Sequence, residues 1–405
     1  PWRSYVVSLL RKHGLAVTQA MLHVPTLEST HYMVPLQADA LTYTFSHLIP
    51  TRRWRRGLVT SALRIPGAVA LASNMIPAIG LLAQRRGAAP SCAWMSERLG
   101  TTNATTIVAS SWRGRMGSVV LYHLDERQHW PTAVAKTTLH NNRPMLHIQE
   151  MANLQRIAHT AQVEQAHIPK PVWLGMLGHR PVLVQSSVEG ASLAHSLKAR
   201  PERLSVMLMR IADWLEAWNR ATATRARLTR ELLHEQVLQP AATVAAYLPE
   251  GRAYYGWLEQ RTQALLGTTV PMVATHNDLT TSNILVNEQG RLRIVDWETA
   301  RLRGLPLMDF LYAVVDAVMA TGLAGNRVQA FKHCFCSHNS DTEVIRRLHT
   351  RLVNELQVPP ACVELAFHAC WLHHAANEVQ QQPARSYQPF VEIVKHISHN
   401  PAEWV

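Results

Sequence analysis

"THNDLTTSNILVNEQGRLRIVDWETA", residues 275–300, sets one His, two Asp and three Asn around two short apolar runs. Ile284-Leu285-Val286 and Leu292-Arg293-Ile294-Val295 flank the polar, glycine-containing stretch Asn287-Glu288-Gln289-Gly290. Apolar, β-branched runs joined by such a turn predict a β-hairpin. With Gln289-Gly290 as its tip, Asn283 pairs opposite Asp296 near the open end, and Asp278, five residues before Asn283, enters the same end on a loop. One carboxamide and two carboxylates then converge on one rim. Oxygen donors of this kind suit a hard cation such as Mg²⁺, held by few protein ligands and completed by phosphate oxygens and water. The same residues also fit an ordinary hairpin with polar ends, Asp278 closing a turn and Asn283 forming an Asx-turn. The rest of the chain decides between them.

At 405 residues, 47% of them hydrophobic, the chain can bury a large core and divide into two or three domains. Five cysteines are too few and too unevenly placed for a disulfide scaffold, which points to a reducing compartment and a cytoplasmic protein. The run His333-Cys334-Phe335-Cys336-Ser337-His338 invites a zinc reading but lacks the paired spacing of structural sites, so no metal is assigned there.

Net charge is +12, unevenly spread. Residues 1–100 hold eleven Lys or Arg against three Asp or Glu, and no acidic residue lies between Asp39 and Glu97. That interval contains "TRRWRRG", an uncharged run from Ile65 to Gln84, and Arg85-Arg86. Arginines bracketing an apolar stretch suggest that residues 52–86 attach to an anionic membrane surface, at the inner face for a cytoplasmic chain. A membrane span and a buried helical hairpin are alternatives, with Pro66, Asn74 and Pro77 interrupting the run. No aromatic-interleaved basic pattern supports specific nucleic-acid binding. The sequence opens at Pro1 rather than Met, which suggests a piece of a longer protein, so residues 1–100 could be the tail of a missing domain.

From residue 101 "ATTIVASSW", "SVVLYHL" and "TAVAKTTL" predict three strands of an antiparallel meander, with Gly114 and Gly117 in the first connection. A helix from Met145 to Thr160 follows, then two Pro-bounded strands up to Ser187. Beyond Gly190 the pattern turns to long helices: Leu204–Arg220, Val244–Leu265, Leu311–Thr321 and most of Val344–Gln381. The expected class is α+β, with a small antiparallel β lobe (101–187), a larger mainly helical lobe (188–405), and a basic N-terminal extension (1–100).

Only six residues are Lys against 34 Arg, and one of the six, Lys136, stands in the centre of the strand "AVAKTT". A strand Lys can reach the phosphates of a nucleotide when an acid on the following helix orients it, and Glu150 is placed to do so. A Lys snorkelling to solvent and a solvated Glu are the bland alternatives.

Taken together, "VAK", the helical Glu, "HNDLTTSNILV" and "IVDWE" resemble the aminoglycoside phosphotransferase and choline kinase superfamily, relatives of the protein kinases with a two-lobed kinase-like fold. The resemblance covers residues 101–390, and "LPLMDF" adds a further family Asp, Asp309. It implies an ATP- or GTP-dependent kinase using Mg²⁺, with Asp278 as catalytic base, Asn283 and Asp296 as metal ligands, and His276 and Asp309 bracing the catalytic loop. Lys136 would hold the phosphates, oriented by Glu150. Gly114 and Gly117 would cover them, and the connector Gln185 to Val188 would offer backbone groups to the base. Asn277 departs from the family's usual Gly between His and Asp.

The first functional expectation is therefore phosphoryl transfer to a hydroxyl of a small molecule, with a sugar or saccharide intermediate as the acceptor the composition suits best. A pseudokinase, a nucleotide-binding or interaction module at a membrane surface, is the alternative. The intact set Lys136, Glu150, Asp278, Asn283 and Asp296 argues against it.

Overall fold

Short β-branched runs between polar turns dominate the first half of the chain, and in the computed structural model they pair into one antiparallel sheet. The structure describes residues 2–24, 31–49, 79–85, 93–101, 104–110, 117–125, 130–138, 145–159, 168–381 and 387–403. Two compact units emerge, Pro1–Ala152 with Pro169–Glu189, and Asn153–Ile168 with Gly190–Val405.

In the first unit the strands are β1 (Leu15–Val24), β2 (Tyr32–Pro35), β3 (Ile79–Arg85), β4 (Ala104–Ser110), β5 (Ser118–Asp125), β6 (Pro131–Thr138), β7 (Pro171–Leu177) and β8 (Arg180–Ser186). Their spatial order is β3-β1-β2-β4-β5-β6-β8-β7. The five expected strands are β4 to β8. The segment read as an extension adds three more, joined through Tyr32 opposite Ala109 and Met33 opposite Val108. Alternation along β6 places Ala133 and Ala135 in a core with Leu121, Val182 and Val184, and turns Lys136 to the opposite face.

Of the basic, apolar interval 52–86 expected at a membrane, residues 52–78 and 86 lie outside the described residues. Its described end, Ile79–Arg85, is strand β3 paired with β1. Among the described residues no helix is long and apolar enough to cross a membrane.

The second unit is mainly helical, as the 3.6-residue periodicity predicts. Its longer helices are Leu204–Thr222, Gly251–Leu265, Met308–Thr321, Ser340–Leu356 and Pro360–Gln381. Asn326 and Asn339 cap helix starts, accepting from the N–H groups of Gln329 and Thr342 at 2.9 and 2.8 Å. One continuous core fills this unit, with Trp297, Phe331 and Trp371 fully buried. Two small sheets cross it: β10 (Thr224–Arg227), β11 (Thr269–Thr275) and β14 (Arg301–Gly304) form one, while β9 (Ala191–Ser192), β12 (Ile284–Val286) and β13 (Leu292–Ile294) form the other. Strand β11 is buried from Val270 to Thr275. It delivers the chain from the core directly into the His276–Asn283 loop.

Candidate active site

The loop leaves β11 with a turn that needs left-handed backbone: Asn277 has φ 62°. Glycine takes this conformation without strain, and Asn is among the few other residues that tolerate it. Here Asn277 also donates its Nδ2 to the Thr299 carbonyl at 3.0 Å. The departure from the family's glycine therefore keeps the turn and adds a tie. Asp309, buried at the first turn of helix Met308–Thr321, accepts from the backbone N–H of His276 at 2.7 Å and of Asn277 at 2.8 Å. Burial pushes its carboxyl up to about 6, although both N–H donors favour the charged form.

His276 is buried with its ring between two parts of the site. Nδ1 accepts from the Asp278 N–H at 3.2 Å, which leaves Nε2 as the donor to the Val295 carbonyl at 2.9 Å. An amide nitrogen can only donate, so its partner fixes the neutral tautomer. Thr299 Oγ1 donates to the His276 carbonyl at 2.9 Å. The ring thus braces Asp278 against the end of the hairpin.

The hairpin forms, with a register one residue away from the expected one. Ile284 pairs with Ile294, Leu285 with Arg293 and Val286 with Leu292. Asn283 therefore lies opposite Val295, whose N–H donates to its carbonyl at 3.0 Å, and not opposite Asp296. The turn has three residues, Glu288 to Gly290, closed by Asn287 N–H to Arg291 O at 3.1 Å, with Gly290 at φ 74°. A one-residue slip turns a strand side chain to the other face. Asp296 escapes that consequence because the strand has ended: its φ of 72° and ψ of 61° redirect the chain into the short 3₁₀ turn Trp297–Thr299.

Asn283 donates its Nδ2 to the Asp278 carbonyl at 2.9 Å and to Asp278 Oδ2 at 3.1 Å. Both contacts orient the amide nitrogen inward, so Oδ1 is the atom left to act as a ligand. Asp278 is raised to about 7, first by burial, then by the negative charges of Asp296 and Asp316, against the Asn283 hydrogen bond and Arg327. Negative charges that raise a neighbouring carboxyl in this way mark a place where a cation is stabilising. An amide oxygen and carboxylates are the donor set a hard divalent ion takes, so the residues fit Mg²⁺.

Three groups that the motif did not single out hold this loop and the turn that follows Asp296. Asp316 Oδ2 accepts from Thr281 N–H at 2.7 Å and Thr281 Oγ1 at 2.6 Å, and its Oδ1 pairs with Arg327 Nη2 at 3.0 Å. Asn153 donates Nδ2 to the Trp297 carbonyl at 2.8 Å and to that of Glu298 at 3.3 Å. An Asp at seven-residue spacing from Asp309, inside the apolar run "FLYAVVDAVMA", was the readable signal for Asp316.

In the first unit Lys136 Nζ pairs with Glu150 Oε1 at 2.7 Å; their side chains are 13% and 0% exposed. The strand Lys is thus held by the expected helical acid and does not snorkel to solvent. Gly117 has φ 42°, whereas Gly114 falls outside the described residues. In the connector Gln185 is buried within β8 and Val188 half-buried, and the Ser186 and Ser187 N–H groups donate to the Lys170 and Thr132 carbonyls.

The tryptophans of the long helices serve packing. Trp218 is buried, donates Nε1 to the Ala274 carbonyl at 2.6 Å and stacks on Trp214. Trp371 is buried edge-on to Phe331. The segment considered for zinc is dispersed as well: buried Cys334 points its thiol at the Val314 carbonyl, and His333 meets Asp341 at 3.0 Å.

Residues 118–347 match the family described as the phosphotransferase enzyme family. Solved structures also match at low identity. One is an aminoglycoside phosphotransferase from Streptomyces rimosus: 14% identity, 66% of this chain and 92% of that one, TM-score 0.42. A second is the choline kinase LicA from Streptococcus pneumoniae: 11% identity, 77% and 97% covered, TM-score 0.44. A third is a protein from Haemophilus somnus described as a fructosamine-3-kinase: 9% identity, 76% and 95% covered, TM-score 0.44. No curated protein matches the chain.

Proposed function

Because this chain belongs to the phosphotransferase enzyme family, we propose that it is a kinase that moves the terminal phosphoryl group of ATP or GTP onto a hydroxyl of a small molecule, with sugars or saccharide intermediates the favoured acceptors. The observation that carries this reading is the Asp278–Asn283 pair beside Asp296, on a loop whose first backbone N–H groups are fixed by buried Asp309. Phosphoryl transfer asks for in-line positioning and charge neutralisation rather than covalent chemistry from the protein.

In this reading Asp278 accepts the acceptor hydroxyl's proton as the oxygen attacks phosphorus, and its other oxygen stays oriented by Asn283 Nδ2. Asn283 Oδ1 and the Asp296 carboxylate would hold Mg²⁺, which when bound neutralises charge on the phosphates. Lys136, fixed by Glu150, supplies the ammonium for the phosphates, and the connector Gln185 to Val188, whose Ser186 and Ser187 N–H groups are already engaged, would offer its remaining backbone groups to the base. His276 keeps the Asp278 backbone in place.

A nucleotide-consumption screen against pooled sugars, amino alcohols and antibiotics tests this, with Asp278→Ala as the blank. Mg²⁺-dependent turnover lost in Asp278→Ala and Asp296→Ala supports the assignment. Full turnover by both variants overturns it.

A further inference from the structure

Arg327 belongs to no part of the sequence motif, yet it stands at the end of a chain of contacts that reaches the loop. Its Nη2 meets Asp316 Oδ1 at 3.0 Å. The other oxygen of Asp316 takes both the backbone N–H and the hydroxyl of Thr281, at 2.7 and 2.6 Å. Thr281 lies between Asp278 and Asn283, the two residues already joined by a side-chain hydrogen bond. A carboxylate with one oxygen shared by two donors and the other pulled by a guanidinium has little rotational freedom.

The guanidinium is itself confined. Its central carbon lies 4.8 Å from the centre of the Phe390 ring and 5.5 Å from that of Tyr312. Tyr312 stacks on His374 with ring centres 3.7 Å apart, and Phe390 also faces His374. Phe390 is in turn set by Glu378 Oε2, which accepts from the Phe390 N–H at 2.8 Å. Nη1 is buried and has no hydrogen-bond partner among the described residues, so Asp316 and the two ring faces are what position this side chain. Arginine suits the role because its flat cation can stack and pair at once, whereas a lysine ammonium offers a point charge.

We propose that Arg327 is a positioning residue for phosphoryl transfer, clamped by Phe390 and Tyr312 so that Asp316 holds the Thr281 end of the catalytic loop. The inference rests on the kinase reading for its effect on rate, and on contacts alone for its effect on the loop. Misplacing reacting groups by about 1 Å can lower turnover by roughly 100-fold without contact to substrate.

Three variants and two readouts test it. Arg327→Met keeps the length and apolar packing but removes the ion pair, Arg327→Lys keeps the charge, and Asp316→Asn removes the other partner. Hydrogen exchange on the nucleotide-free full chain should show faster exchange over residues 278–283 in Arg327→Met and Asp316→Asn, with β11 unchanged and intermediate exchange in Arg327→Lys. In turnover assays Arg327→Met should lose about 10- to 100-fold in kcat while KM for nucleotide moves less than about 3-fold, with partial recovery in Arg327→Lys. The Arg327→Met/Asp316→Asn double variant should lose no more than the worse single one. Wild-type exchange over 278–283 in Arg327→Met overturns the proposal, whether or not the chain proves to be a kinase. A rise in KM with kcat retained overturns it too, because that pattern belongs to a substrate contact. If wild-type protein shows no turnover, the kinase reading fails while the exchange result still decides the brace.

Discussion

Asp309 and Asp316 sit two turns apart on helix Met308–Thr321, and each carboxylate holds one end of the loop that carries Asp278. Asp309 takes the N–H groups of His276 and Asn277 where the loop leaves β11. Asp316 takes the N–H and hydroxyl of Thr281 where it returns. A seven-residue spacing puts both side chains on one helical face, so a single rigid element sets the length and height of the loop. The helix is buried along nearly its whole length, which makes it a firm base for two charged anchors.

Asp309 should impose a pH dependence on stability. Its carboxyl is raised from 3.8 to about 6, chiefly by burial. Between about pH 4 and 6 the folded chain therefore keeps a proton that the unfolded chain releases. The contribution is fully present below the unfolded value and is lost as pH rises through 6, about 3 kcal/mol in all. Asp309→Asn cannot titrate. Denaturant midpoints of wild type and Asp309→Asn at pH 4, 5, 6 and 7 should give a stability difference that shifts steadily against wild type up to pH 6 and then levels. A constant offset across the series would show that Asp309 is not raised.

Asn277 should tolerate few replacements. At φ 62° a β-branched side chain is strained, Ala costs about 1–2 kcal/mol, and Gly is free of that strain. Gly still loses the bond from Asn277 Nδ2 to Thr299 O, worth about 1 kcal/mol. The expected order of denaturant midpoints is Asn, then Gly, then Ala, then Val. Val equal to Asn would contradict the left-handed assignment.

Glu150→Gln should report on Lys136 without changing shape. Glu150 is fully buried and its Oε1 is 2.7 Å from Lys136 Nζ. Removing the charge weakens a charge-assisted bond worth about 1.5–3 kcal/mol, or roughly 10- to 100-fold in kcat/KM for nucleotide. Glu150→Asp should recover little, since it withdraws the oxygen by about one bond length. Steady-state kinetics with varied nucleotide measures both. Unchanged kcat/KM in Glu150→Gln would remove Lys136 from the phosphate site.

The loop, the hairpin and the Lys136–Glu150 pair were legible because each is polar chemistry placed against strongly patterned apolar sequence. Hairpin register was not, since "NEQG" fits a two-residue or a three-residue turn equally and only Gly290 at φ 74° decides. β1 hides its identity for a different reason. It is part-exposed along nearly its whole length, so no clean alternation marks it, and the arginines that follow draw the eye to charge instead. Arg327 was invisible because its partners Tyr312 and Asp316 lie 15 and 11 residues before it and Phe390 lies 63 after it, brought together only by the tertiary fold.

Asp278 should set the acid limb of the rate profile. Only its ionised form can accept a proton from the acceptor hydroxyl. Burial, followed by the charges of Asp296 and Asp316, holds the carboxyl up at about 7. kcat/KM reports the free enzyme and should therefore climb tenfold per pH unit below about 7 and flatten above it. Mg²⁺ held by Asn283 and Asp296 would place positive charge near the same carboxylate, which favours ionisation, so the limb at saturating Mg²⁺ should lie at lower pH than the limb at limiting Mg²⁺. Asp296→Asn removes a neighbouring negative charge and should move the kcat/KM limb of any residual activity downward, whereas no shift is expected if Asp296 is remote from the base. Profiles from pH 5 to 9 in constant ionic strength measure all three shifts. A flat profile across that range in wild type would exclude Asp278 as the group that takes the proton.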